Sequence, residues 1–478
     1  MKTAGIIGGG LAGLAAGCAL SDAGFRVTLF ERRPYVGGRA SSYEHPGTGE
    51  IVDNCQHVLL GCCTNLIHFY DQLGVSDQIR WFSDLTFIEP GGRASHLSSS
   101  VLPAPLHNFP AFLRAASLSW SDKLAIARAL AAMMPMRSIP EDSSDSDESF
   151  LQWLQRHGQT EGAIERFWKV VLVSALNEDL ERTSVRYAVQ VFRESFLKSA
   201  EAGRMGVPSI PLSDLYGHAV DYIRARGGEV LLRSSASRID PSENAIRISS
   251  NSGEREFDYA VLAVPFHLVG GMLPGSVEAE RLRSMLGRFE SSPITGVHLW
   301  FDQPITELPH AVLLDRTIQW MFHKSMFHKN GPRNQSAQQG NEVTGDKEAK
   351  SYIEVVISSS KTLIEKSRQE ILDLAMQELA DFFPAIKTAK LVKATVIKEI
   401  YATYSIRPGL DQYRPIATTN WPRLFLAGDW TATGWPATME GAVRSGYLAA
   451  EAITQSAGEP RTFLVPDLKA KGLMRLFG

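Results

Sequence analysis

Gly5-Ile6-Ile7-Gly8-Gly9-Gly10-Leu11-Ala12-Gly13 decides the fold. A short apolar run enters a glycine-rich turn, and a helix pattern over Leu11–Ala23 leaves it. Gly8 allows the tight turn after a strand. Gly10 carries no side chain, so a pyrophosphate can approach the backbone. Gly13 lets helix and strand pack closely. The unpaired N–H groups of the first helical turn, at Leu11 and Ala12, favour phosphate oxygens. Gly24 then punctuates, and the strand Val27–Phe30 ends in Glu31, an acceptor for ribose hydroxyls. A βαβ unit of this kind predicts an α/β, Rossmann-like dinucleotide-binding domain.

The next residues narrow the ligand. Glu31 is followed by Arg32-Arg33-Pro34-Tyr35-Val36-Gly37-Gly38-Arg39-Ala40, in which Gly38 and Arg39 bring more backbone and a cation to the same diphosphate. Near the other end, Leu424–Leu426 runs into Ala427-Gly428-Asp429, and Pro436-Ala437-Thr438-Met439-Glu440-Gly441-Ala442 opens a helix rich in small residues. These blocks resemble the two halves of the FAD site in amine oxidases and phytoene desaturases. The resemblance implies that Gly428 and Asp429 meet the ribityl-diphosphate region. It also implies that Pro436, Ala437, Thr438 and Met439 face the isoalloxazine, where the helix dipole favours negative charge on reduced flavin. The strand holding Val230 is expected on the adenine side. FAD is expected to be bound non-covalently.

Bulk properties exclude other classes. A net charge of -3 over 478 residues argues against nucleic acid as the main partner. Cys18, Cys55, Cys62 and Cys63 lack metal-ligand spacing and read as reduced thiols, so no metal is expected. The apolar stretch 4–20 is explained by the fingerprint, not by a signal peptide. No segment has the roughly 20 uninterrupted apolar residues of a spanning helix. The expected location is cytoplasmic, with peripheral contact to the inner membrane as an option. The apolar-basic tail Phe463–Phe477 could dock on anionic lipid or pack on its own domain.

The organisation is interleaved. The FAD-binding domain is expected from residues 1–75, 206–275 and 415–457. A mixed sheet-plus-helix substrate domain is expected from 76–205 and 276–414, with a helical insert, and 458–478 as a tail. Leu113–Met134 has helical spacing with a Ser121-Asp122 start, and Pro135–Asp147 is an acidic, Ser-rich loop. Ile294–Phe301, Gln319–Phe322, Tyr352–Ser358 and Leu391–Tyr401 read as strands, and Ser367–Phe383 as an amphipathic helix. The polar stretch 323–350 reads as a mobile surface loop.

Five further blocks sharpen the resemblance: Asp53-Asn54-Cys55-Gln56-His57-Val58-Leu59-Leu60-Gly61-Cys62, Ala175-Leu176-Asn177, Val207–Leu215, Gln319-Trp320-Met321-Phe322, and LAGDWTATGWPATMEGAVRSG over 426–446. Together they resemble the hydroxysqualene dehydroxylases, within the phytoene desaturase and flavin amine oxidase superfamily. The resemblance implies reductive conversion of hydroxysqualene to squalene in bacterial hopanoid synthesis, with hydride from reduced flavin N5 to an allylic cation. An apolar isoprenoid is then the substrate, and the electron donor is unknown. Cys55 stands where the family leads one to expect Gly, which raises the question of a positive φ there.

Candidate catalytic residues are His57, as proton donor or hydroxyl anchor, Gln56 as a positioning group, and Glu440 on the flavin-facing helix. His57 and Glu440 each have a structural alternative: a backbone-bonded histidine and a favourable helix-start charge. Asp53 is expected to orient its segment by turn hydrogen bonds. Trp435 is expected either to wall the substrate channel or to pack in the core, and Trp320 to wall the channel. Competing readings are a polyprenyl desaturase, an amine oxidase and a prenyl-binding escort. The absence of Lys from 294–301 counts weakly against the amine oxidase, and the intact FAD motifs count against the escort.

Overall fold

The computed structural model describes residues 1–136, 148–327 and 349–477. Thr3–Ile7 (β1) pairs in parallel with Arg26–Phe30 (β2) on one side and with Tyr259–Leu262 on the other. The five-stranded sheet runs Glu229–Leu231, β2, β1, Tyr259–Leu262, Leu424–Leu426, all parallel. Its strands read as continuous apolar runs because helices cover both faces. Leu11–Asp22 (α1) is buried along almost its whole length. The C-terminal helix Met439–Ser456 presses against it through small residues. A Cβ on Gly446 would come within 2.3 Å of the Ala12 carbonyl oxygen, so Gly is required at that crossing. The fingerprint and the C-terminal block are thus packed as one unit.

A second, seven-stranded sheet runs Leu391–Tyr404, Ser291–Phe301, Ser351–Ser358, Trp320–His323, His310–Leu313, Asp84–Ile88, Ala94–Ser98. Its pairings are antiparallel except between His310–Leu313 and Asp84–Ile88. One face packs on Arg368–Phe382, whose N-cap is Ser367 in a capping box with Glu370.

The stretch expected as one helix over Leu113–Met134 is two. Phe109–Arg114 (with Thr64–Leu73 as α2, this is α3) ends before a turn, and Trp120–Met133 (α4) begins at N-cap Ser119, not Ser121. Ser119 and Asp122 form a reciprocal capping box, which fixes the start. Two π-helical turns, Ile164–Trp168 and Phe192–Leu197, interrupt the other helices of this insert.

The surface-loop expectation for 323–350 needs correction at its edges. His323 closes a strand and is buried, and Lys324–Phe327 is a short helical turn whose Lys324 is 2% exposed. Residues 328–348 of that loop, and 137–147 of the acidic loop, lie outside the described residues. The question raised at Cys55 is also answered: its φ is not positive, so the side chain causes no backbone strain.

Candidate active site

One connected cavity of about 1060 Å³ runs from the fingerprint turn to α3 and α4. Gly8, Gly10, Leu11, Ala12, Glu31, Arg32, Gly38, Arg39, Gly428 and Asp429 form one end of its wall. A Cβ on Gly8 would sit 2.4 Å from the Ala263 carbonyl oxygen, and one on Gly13 only 1.9 Å from that of Gly8. Both glycines are therefore forced by the turn, and Gly13 packs behind the wall without lining it. A Cβ on Gly10 would meet only the Gly38 Cα at 3.9 Å, within the cavity. That is the clearance a diphosphate needs. Gly10 caps α1 with no side-chain acceptor, so the first-turn N–H groups are available to an anion.

Glu31 Oε2 accepts from the Gly9 N–H at 2.8 Å, and Oε1 accepts from the Arg33 N–H at 2.7 Å. These bonds hold the buried carboxylate beside the glycine turn. Arg39 donates to Asp429 Oδ1 at 2.6 Å and to the Ala402 carbonyl oxygen at 2.9 Å. This ion pair joins residues 390 apart in sequence and closes the split site. Trp435, Pro436, Ala437, Thr438, Met439 and Glu440 continue the wall, with Thr438 capping the Gly441 N–H at the helix start. The residues present fit FAD, which supplies hydride-transfer chemistry when bound.

Val230 is not on this wall. It sits on the edge strand Glu229–Leu231 with its side chain buried in the core, and Ser234, Ser235 and Ala236 line the cavity just beyond it. The strand's pleat aims Val230 inward, a choice of face that sequence alone did not fix.

The Asp53–His57 segment lies against the cofactor end. Asn54 Nδ2 donates to the Arg39 carbonyl oxygen at 3.2 Å and to Glu399 Oε2 at 2.9 Å. Gln56 and His57 line the cavity. His57 Nδ1 is 2.7 Å from the Cys55 carbonyl oxygen. A carbonyl can only accept, so Nδ1 carries the hydrogen and Nε2 is an acceptor. Burial pushes the imidazole pKa down, which keeps the ring neutral. His57 is therefore suited to anchor a hydroxyl or take a proton, and unsuited at rest to give one.

Glu440 has other duties. Its carboxylate accepts from the Asn65 and Leu66 N–H groups and from Asn65 Nδ2, capping α2 from another helix. The Cys63 N-cap offers no side-chain bond, which explains the need. Arg444 lies beside it at 3.3 Å. Burial pushes the Glu440 pKa up against these partners.

The far arm of the cavity is apolar. Phe109, Phe112 and Leu130 line it from α3 and α4, Leu118 from the turn between them, Met134 from the end of α4, and Phe167, Phe192 and Phe196 from the two π-helical turns. Trp320 lies on this wall, and its Nε1 donates to Ser174 Oγ at 2.8 Å.

Three features escaped the sequence reading. Arg414 is buried and donates to the carbonyl oxygens of Asp429, Thr431 and Trp435, shaping the loop that carries Asp429. Asn177 adopts a left-handed φ of 54° and ties its helix to Ser292 and Thr403. Lys324 sits buried between Asp53 and Glu354. A polar residue inside an otherwise apolar strand, as at Glu354 in Tyr352–Ser358, is the sequence signal that marked the last.

Fold and wall together define a flavoprotein oxidoreductase whose cavity has a long apolar arm. The model of the flavin containing amine oxidoreductases matches residues 11–454, and the chain belongs to that family. It is 28% identical over 469 residues to the 15-cis-phytoene desaturase of Synechococcus elongatus, covering 94% of this chain and 95% of that one. The tomato (Solanum lycopersicum) 15-cis-phytoene desaturase is 27% identical over 472 residues, covering 94% and 77%. Among solved structures, putrescine oxidase superposes with a TM-score of 0.69 at 17% identity, covering 96% and 98%. An oxidoreductase from Methanosarcina mazei gives 0.69 at 15% identity, covering 93% and 99%. The protein is an FAD-dependent enzyme of this fold.

Proposed function

We propose that the protein reductively removes the hydroxyl of hydroxysqualene, giving squalene and water. The observation that carries this reading is the continuity of an FAD cradle with an apolar arm, in one cavity, with His57 and Gln56 on its wall. When bound, reduced FAD would supply the hydride and, as FADH2 going to FAD, the balancing proton. The C–O bond would break, the hydroxyl would leave as water with that proton, and the new C–H bond would form at the allylic carbon. The apolar arm would hold the hydrocarbon and exclude water. His57 Nε2 accepts the substrate O–H and so orients the C–O bond, while Gln56 braces the segment. Anaerobic single turnover tests this: dithionite-reduced enzyme mixed with hydroxysqualene should reoxidise its flavin and release squalene together. Reoxidation without squalene would sink the reading.

A second reading has support of its own: desaturation of a polyprenyl chain. Neutral His57 suits a base, and the relatives above are desaturases. Oxidised enzyme would then place a new conjugated double bond in phytoene, which product mass and absorbance distinguish.

We further propose that substrate enters from a lipid surface. Leu106 and Phe109 are cavity-lining yet exposed, and Val101, Leu102, Leu473 and Leu476 are exposed on the adjoining segments. The Leu473 N–H bonds the Ala104 carbonyl oxygen, which sets the tail beside this mouth, with exposed Lys469 and Arg475 on it. An apolar patch rimmed by cations suits anionic lipid. No helix among the described residues is long and apolar enough to cross a membrane. Sedimentation with anionic vesicles should carry the enzyme down, and Leu106→Glu/Phe109→Glu should release it. Equal sedimentation of the two would refute the docking.

A further inference from the structure

Behind the wall at Gln56 and His57 lies a buried charge cluster. Lys324 Nζ is 2.5 Å from Asp53 Oδ2, 2.8 Å from Gln56 Oε1 and 3.5 Å from Glu354 Oε2. Lys324, Asp53 and Glu354 have side-chain exposures of 3%, 7% and 0%. None of the three lines the cavity. Asp53 Oδ1 also accepts from Ser42 Oγ at 2.5 Å, tying the cluster to the segment after Arg39. Gln56 Nε2 in turn donates to the His57 carbonyl oxygen at 3.0 Å. Buried charges at this cost need a reason. A well-packed apolar trio would serve stability as well or better.

We propose that Lys324 and Glu354 are positioning residues that clamp the Asp53–His57 segment from behind and so fix Gln56 and His57 at the substrate wall. The clamp rests on the reading of this cavity as the substrate site. Lys324 grips the segment twice, at Asp53 and at the Gln56 amide oxygen. Glu354 faces the Gln56 N–H and the Lys324 ammonium from the neighbouring strand. The other titratable groups around it are Cys55, Tyr352, and His298, its cross-strand partner. His298 is neutral: burial pushes its imidazole down to about 3, and its Nδ1 lies 2.7 Å from the Tyr352 hydroxyl. Two carboxylates therefore share one ammonium. When both are ionised, Glu354 draws Lys324 away from Gln56 and the grip loosens.

Burial pushes the Glu354 carboxyl up to about 7, so the loosening falls near neutral pH. Lys324 stays charged. Burial works against its ammonium, but Asp53 and Glu354 more than offset it.

The test compares holoenzymes carrying Glu354→Gln, Lys324→Met and both. Two readouts are taken: single-turnover flavin reoxidation against pH and substrate concentration, and peptide-mapped modification of His57 by diethyl pyrocarbonate. Wild type should lose rate as pH rises through about 7, and Glu354→Gln should keep its FAD and lose that limb. Lys324→Met should lower the limiting rate about 10²-fold, the scale of a misplaced group, with little change in half-saturating substrate. It should also speed His57 modification while exposed His96 is unchanged. If Lys324→Met does not fold, Glu354→Gln alone decides, because it is isosteric and keeps the Lys324–Asp53 pair. Wild-type pH profile and wild-type His57 reactivity in Glu354→Gln would overturn the clamp. A wild-type enzyme inert toward hydroxysqualene would overturn the proposed reaction instead, and His57 reactivity would still judge the clamp.

Discussion

The cofactor end and the substrate end of the cavity are built by different rules. At the cofactor end, contiguous motifs with fixed spacing supply most of the wall, Gly8, Gly10, Glu31, Arg39 and Asp429 among it. At the substrate end, α3, α4, two π-helical turns and the seven-stranded sheet each add a few apolar side chains without a shared pattern. A phosphate imposes backbone geometry, and backbone geometry leaves glycines at set intervals. A hydrocarbon asks only for apolar volume, which many sequences provide.

That contrast can be broken at its strongest point first. Gly13→Leu should abolish FAD binding and soluble yield together, because even its Cβ would meet the Gly8 carbonyl oxygen at 1.9 Å. A yellow, folded Gly13→Leu enzyme would show that the turn is not the constraint. Next, Arg39→Ala should strip most of the flavin, since it removes a cation and leaves buried Asp429 unpaired. Losing one partner of a partly buried pair costs up to about 3–5 kcal/mol. Glu31→Ala should weaken FAD by about 1–3 kcal/mol, the scale of lost hydrogen bonds to a charged group. Equilibrium dialysis of the apoenzyme with FAD measures both. Retained affinity in either variant would remove that residue from the cradle.

At the substrate end the effects should be smaller and confined to turnover. His57→Ala should keep FAD and slow single turnover by about 10–10²-fold, the worth of one hydrogen bond of 1–3 kcal/mol. A larger loss, toward 10⁴-fold, would instead assign it general-acid work. Glu440→Gln should disturb stability more than rate, because its oxygens cap α2. Normal stability with a large loss of rate would reverse those roles.

What could be read from the sequence follows the same division. The βαβ unit, Glu31, Arg39 and the Asp429 strand were legible because each sits at a fixed offset from a glycine turn. His57 was legible as a candidate but not as a neutral ring, since that depends on the Cys55 carbonyl and on burial. Lys324 lay in a polar stretch that reads as surface. Only the pairing of Trp320–His323 with Ser351–Ser358 carries it inside, opposite Asp53 from a segment 271 residues away. For Val230 the strand was legible, but the face its side chain takes was not, because that depends on the pleat. Ser119 displaced Ser121 as a helix start because only Ser119 has an acid three residues on.

The smallest expected effect separates the two ends by pH. Glu354 has an ordinary carboxyl pKa of 4.5 in the unfolded chain and about 7 in the fold. A raised carboxyl pKa means the folded state binds the proton more tightly. Its contribution to stability is therefore full below about 4.5 and lost as pH rises through about 7. At about 1.4 kcal/mol for each tenfold change in proton affinity, and with Lys324 sharing the site, the slope amounts to roughly 1–3 kcal/mol. His57 and His298 act in the opposite sense, because burial lowers their pKa values, so their contribution is lost as pH falls. Both histidines remain in Glu354→Gln and cancel in the difference. Thermal unfolding of wild type minus variant, followed from pH 5 to 8, should therefore decline monotonically toward pH 7–8. A flat difference would mean that Glu354 is ionised throughout, with Lys324 as its full partner. Asp53 would then share that ammonium at every pH, and the segment carrying His57 would be held no differently in acid than in base.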